Sequence, residues 1–263
     1  MISQRTLFTI VMVLFIFAQT ALGSSTASDG VQKGENFLVN ILNPDLGLLP
    51  EYPGAKVYWL FHDNYLASKI LTVSRPQISQ RIMTSIHREG VGKEGKLELI
   101  FGEAEKPLPF HEYRLIDVRR DGDKTIRTEV LTDRVLDGWA SYADLLLLAS
   151  IAETNRPIAR QQWEAAMKLW DGKGFLDAAA RHDQRYSTYK LGLALLAASR
   201  LSPRAEPPRG LLEKLLEFQD ASGGWVTDYD AAGKKIGVAN VETTCLCILG
   251  IKEFTPYAQS PGK

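Results

Sequence analysis

Three stretches of the chain share one pattern: a helical run, a polar turn, a glycine, then a large apolar residue. In "FLVNILNPDLGLLPEYP" the run ends at Asn43-Pro44-Asp45, and Gly47-Leu48 follow. In "WEAAMKLWDGKGFLD" it ends at Trp170-Asp171, with Gly174-Phe175 after it. In "LLEKLLEFQDASGGWVTD" it ends at Gln219-Asp220, with Gly224-Trp225 after it. Self-similarity of this kind marks a repeated supersecondary unit, and missing it would misassign the whole fold.

Each turn leads to a second apolar run: "DNYLASKILTV", "STYKLGLALLAAS" and "NVETTCLCILGI". The two members of a pair differ in pattern. Leu211, Leu212, Leu215, Leu216 and Phe218 oppose Glu213, Lys214 and Glu217 on the last first-run helix, whereas "CLCILGI" is apolar or small throughout. An apolar stripe docks on one neighbour, and a helix apolar all round is enclosed. Outer helices therefore alternate with inner ones. The inner runs open on Asp63-Asn64, Ser187-Thr188 and Asn240, whose side chains suit free backbone N–H groups at a helix start. A fourth pair, "ISQRIMTSIHREG" and "YADLLLLASIAE", is split by strand-like segments that meet at Asp121-Gly122, a hairpin signal. The expected fold is mainly α: about four helical hairpins in a single domain over 24–255, with a small β-hairpin insertion at about 95–130 and a flexible tail at 256–263.

The N-terminus predicts export. Arg5 precedes an apolar stretch from Leu7 to Ala18, and Ala21-Leu22-Gly23 offers small residues for cleavage, so residues 1–23 read as a signal peptide cut near Gly23. The stretch is shorter than the roughly 20 apolar residues of a spanning helix. The expected location is secreted or extracytoplasmic, with no membrane association after cleavage. Lys and Arg number 31 against 31 Asp and Glu, so no basic surface points to nucleic acid. Cys245 and Cys247 stand two apart on a helical run, roughly 200° around it, and so do not pair with each other.

Residues Gln219 to Trp225 read Q-x-x-x-G-x-W. This resembles the repeat motif of squalene–hopene cyclases and, more widely, of the α/α-toroid superfamily of terpenoid cyclases and protein prenyltransferases. The resemblance implies an α/α-toroid-like array, as an open or a closed ring, in which Gln219 caps helix ends and Trp225 packs on the neighbouring repeat. It implies little about chemistry. The acidic D-x-D-D motif of the cyclases is missing, and no companion motif completes a prenyltransferase-like zinc site around the cysteines. Six-hairpin glycosidases and polysaccharide lyases share the architecture, and a shared fold does not carry function.

Candidate chemistry concentrates at the inner-helix starts. His62, Asp63, Asn64 and Tyr65 form the densest polar cluster, and matching positions supply Trp139, Tyr142 and Asp144, then Tyr189, then Glu242. Asp63, Asp144 and Glu242 are the candidate catalytic carboxylates, because glycoside cleavage uses a carboxyl pair about 5–10 Å apart. His62, Asn64, Tyr65, Trp139, Tyr142 and Tyr189 are the candidate substrate-binding groups. Capping of three helices by three side chains is the competing explanation. Asp45, Asp171, Asp177, Asp228 and Asp230 read as carboxylates of solvated turns. No nucleophile-elbow, phosphate-loop or dinucleotide motif is present, and no metal or cofactor is expected. The expected function is an exported carbohydrate-active domain, glycoside hydrolase-like or lyase-like, facing an extracytoplasmic glycan or other polar ligand. The alternatives are a non-catalytic glycan- or protein-binding module and, more distantly, isoprenoid chemistry.

Overall fold

A computed structural model describes residues 26–92, 96–103 and 110–258. The signal-peptide segment and its cleavage site lie outside these residues. Eight α-helices and two three-stranded sheets are present among them, about 47% of the chain being helical and 19% strand. The fold is therefore mixed α/β, which corrects the mainly α toroid expected from the repeats.

The physical reason lies in the connections, which run extended and pair with one another. Strand β1 (Val57–Trp59) lies parallel to β3 (Lys124–Val135), which is antiparallel to β2 (His111–Asp121). Asp121 faces Lys124 across a turn whose Gly122 has φ +60°, a backbone state that glycine adopts without strain. In the second sheet β4 (Tyr186–Ser187) pairs with β5 (Val226–Tyr229), and β5 with β6 (Lys235–Ala239). Both sheets are antiparallel or mixed, and each draws on a segment between an outer and an inner helix.

The inner layer holds α2 (Leu66–Leu71), α4 (Ala143–Ala152), α6 (Tyr189–Arg200) and α8 (Val241–Ala258). Helix α8 packs on α2 and α6, and α6 on α4. Outer helices α3 (Pro76–Arg88), α5 (Arg156–Met167) and α7 (Leu211–Glu217) lie on α2, α4 and α6 respectively. The first outer helix, α1, covers residues 26–40. Helices α6 and α8 cross closely, since a methyl at Gly192 would stand 2.6 Å from the Leu246 carbonyl oxygen. Helix α8 continues to Ala258, into the segment expected to be a loose tail.

The three repeated turns share one geometry, each closed by an antiparallel bridge: Asn43 with Leu48, Trp170 with Phe175, and Gln219 with Trp225. Trp225 is fully buried and donates its Nε1–H to the Leu215 carbonyl at 2.8 Å. Gln219 Nε2 donates to the carbonyls of Gly30 and Gly223, each at 2.7 Å. A methyl at Gly34 would lie 2.7 Å from the Trp225 ring, so glycine at that position lets α1 dock flat against the last turn.

Candidate functional site

The chain enters α2 through a π-helix, Leu60–Tyr65, a wider turn that inserts an extra residue per hydrogen-bonded loop and often marks functional sites. Asp63 and Asn64 lie inside this element and do not cap α2, which has no side-chain cap; Asp63 instead accepts the Glu242 backbone N–H in the first turn of α8. Asn64 instead takes the Leu49 N–H at 2.7 Å and donates to the carbonyls of Leu49 (3.0 Å) and Trp59 (2.8 Å). Its role is to lock the turn. Asn240 does cap α8, accepting the Thr243 N–H at 2.9 Å. Helix α4 is capped from a distance: Asp177 Oδ2 accepts the Ala143 N–H at 2.9 Å, and Lys190 Nζ lies 2.5 Å from the same oxygen. Asp177 is fully buried, which corrects its assignment to a solvated turn.

His62 sits at the centre of the site. Its Nδ1 lies 3.1 Å from Glu242 Oε1 and its Nε2 3.0 Å from Glu129 Oε2. Carboxylates only accept, so an imidazole satisfying both needs a proton on each nitrogen. Lys96 Nζ stands 4.0 Å from the same Glu129 oxygen. His62 and Glu242 line two adjoining cavities. The first, about 200 Å³, is bounded on its polar side by His62, Lys96, Asp144, Tyr189 and Glu242. Its other side is aliphatic: Leu97, Ile100, Leu148, Leu193 and Leu246. The second, about 130 Å³, is lined by Glu51, Trp59, His62, Asp63, Glu129, Asn240 and Glu242.

Tyr189 Oη donates to Asp144 Oδ2 at 2.7 Å, and Lys190 Nζ is 4.0 Å from Asp144 Oδ1. That Oδ1 is buried without a hydrogen-bond partner, as is Asp63 Oδ2. Burial, then the charges of Asp144 and Glu242, push the Tyr189 hydroxyl well above its ordinary range, so it remains a donor.

The two neighbouring carboxyls Asp63 and Glu242 are driven apart. Burial raises Asp63 well above the usual carboxylate range, and the adjacent Glu242 charge adds to this, outweighing His62. Burial also pushes Glu242 upward, but the attraction of His62, its hydrogen bond and Lys96 prevail, leaving Glu242 below its ordinary value. The two neighbouring acids are thus shifted in opposite directions, the polarisation that acid–base sites exploit.

Of the nine candidate residues, His62, Asp144, Tyr189 and Glu242 share the first cavity, and Asp63 lines the second. The others stand apart from both linings. Tyr65 donates to Glu103 at 3.0 Å, Trp139 stacks edge-on against Phe110 with ring centroids 5.3 Å apart, and Tyr142 is the N-cap residue of α4. Sequence reasoning missed Glu129, Lys96 and Glu51. Glu129 alternates along β3 like its neighbours, and nothing in a strand pattern says which charged residue meets a helix start. Among the described residues no three His, Cys, Asp or Glu side chains converge to hold a metal ion, and no helix is long and apolar enough to cross a membrane. The chain matches no protein-family model and no curated protein sequence.

Proposed function

We propose that the protein is a carbohydrate-active enzyme of the glycoside hydrolase or lyase kind, working on one sugar-sized polar unit. The observation that carries this is the shared cavity of Asp144 and Glu242, two carboxylates from different helices, with Tyr189 and His62 beside them. Glu242, ionised and held by His62, has the character of a base or nucleophile. Asp144 Oδ1 is an acceptor for a ligand hydroxyl, and the aliphatic wall suits the C–H face of a pyranose ring. At about 200 Å³ the cavity falls below the usual 300–1,000 Å³ of ligand pockets, which favours a terminal residue over a chain interior. Secretion, expected from the N-terminal segment, agrees with such a substrate.

The test is a screen of purified protein on oligosaccharides for new reducing ends and for unsaturated products, run beside Glu242→Gln and Asp144→Asn. The reading expects turnover that falls by about 10²-fold or more in Glu242→Gln, the scale of one lost acid–base group. Turnover unchanged in both variants would overturn the assignment. Saturable sugar binding without turnover would favour the non-catalytic binding module.

A further inference from the structure

The second cavity is lined mainly by acids. Its walls come from five places: Glu51 ahead of β1, Trp59 at the end of β1, His62 and Asp63 in the π-helix, Glu129 in β3, and Asn240 with Glu242 at the start of α8. Four of these seven side chains are carboxylic acids, and His62 is the one basic group among them. Asp63 is 1% exposed, and accepts the Glu242 backbone N–H through one oxygen only. Its Oδ2 is buried in this acidic lining with no hydrogen-bond partner. A buried carboxyl oxygen left so carries its desolvation cost uncompensated, and native proteins rarely keep one without a use.

We propose that this cavity binds a primary ammonium group, with Asp63 and Glu51 as its acceptors. An ammonium carries three donors and no acceptor, which matches a wall of acceptors drawn from separate elements. A metal ion needs a tight shell, and among the described residues no such convergence exists. The Trp59 ring adds an apolar, electron-rich side favourable to an organic cation. Arg127 lies over that ring, 5.5 Å from its centroid, but pairs with Asp117 at 2.7 Å and is not part of the lining. The ammonium forms charge-assisted hydrogen bonds to the Asp63 carboxylate at Oδ2. The inference does not rest on turnover in the neighbouring cavity. Because Glu242 and His62 border both spaces, an amine-bearing sugar is a ligand able to engage the two together.

Methylammonium chloride is the direct probe, titrated against the full protein at pH 8 while melting temperature is recorded, with sodium chloride at equal ionic strength as reference. The expected result is a saturable rise beyond the sodium control, its apparent affinity about tenfold weaker in Asp63→Asn and in Glu51→Gln, the loss of one charge-assisted hydrogen bond. Asp63→Asn keeps the shape of the side chain, and Glu51 is only half-buried, so at least one variant reports on binding in a folded protein. A rise equal to the sodium control overturns the proposal. So does an affinity unchanged in both variants. A saturable response to calcium or magnesium chloride but not to methylammonium overturns it in favour of a metal site.

Discussion

The turn at Gln219–Trp225 and the start of the π-helix both bury polar groups, and they do so in opposite ways. At the turn every buried group is matched: the indole N–H reaches Leu215, the Gln219 amide reaches two carbonyls, and the Trp225 N–H reaches Thr244 Oγ1 at 3.0 Å. At the helix starts Asp63 Oδ2, Asp144 Oδ1 and Thr188 Oγ1 are buried without partners. Satisfied burial stabilises a joint, and unsatisfied burial destabilises the fold unless a ligand or a reaction uses it. The contrast marks the turn as a satisfied joint and the helix starts as the place where the proposed chemistry would sit.

Substitutions in the turn should have the largest effects on stability and none on ligand binding. Trp225→Ala removes a fully buried ring and should cost about 3–5 kcal/mol by urea denaturation. Gln219→Leu leaves two carbonyls without their donor and should cost about 1–3 kcal/mol. Gly34→Ala forces a methyl against the Trp225 ring and Ile248, an overpacking worth about 1–3 kcal/mol. A Trp225→Ala protein as stable as the parent would dissolve the contrast from its structural side.

The π-helix should behave in reverse. The folded state holds the Asp63 proton above the value of the unfolded chain, about 3.9. As pH rises past that value the unfolded state loses its proton first, so the folded state binds more protons and stability falls with pH. The contribution is fully present below about pH 3.9 and is lost on approach to the raised folded value. Asp63→Asn abolishes this slope, so its stability relative to the parent should climb between pH 4 and pH 8. Glu242 has the opposite sign. Its folded value is depressed, so its contribution is present above about pH 4.3 and lost as pH falls through the folded value. Glu242→Gln should therefore lose stability at neutral pH and lose little near pH 3. These are the smallest expected effects, and denaturant midpoints measured across the pH range resolve them.

How far the sequence reaches follows the same divide. Local patterns carry local structure: Asp121-Gly122 marks a turn in the residues and closes one between β2 and β3. The three polar turns recur as three bridges because each uses the same short-range backbone geometry. Pairing between distant segments leaves no such mark. Val57–Trp59 is too short to announce a strand, and its partner β3 lies some way along the chain, so the expected β2–β3 hairpin gained a third strand and a second sheet formed without a mark in the sequence. At the site, the helix-start positions of Asp144, Tyr189 and Glu242 were legible from the repeat. Glu129 and Lys96 were not, because their approach to His62 is set by tertiary packing of β3 and by the segment before the 3-10 helix Leu97–Phe101. Asp177 read as a loop residue because a sequence does not say which helix start 34 positions away it will cap.

Two adjacent carboxyls, Asp63 and Glu242, are shifted in opposite directions where the two cavities meet. Carbonyl-carbon NMR titration of Asp63 and Glu242, with Asp63→Asn and Glu242→Gln to assign the two signals, measures that directly. The expected result is Asp63 titrating above the ordinary aspartate value and Glu242 below the ordinary glutamate value. Two carboxyls titrating at their ordinary values, or in the reverse order, would contradict it.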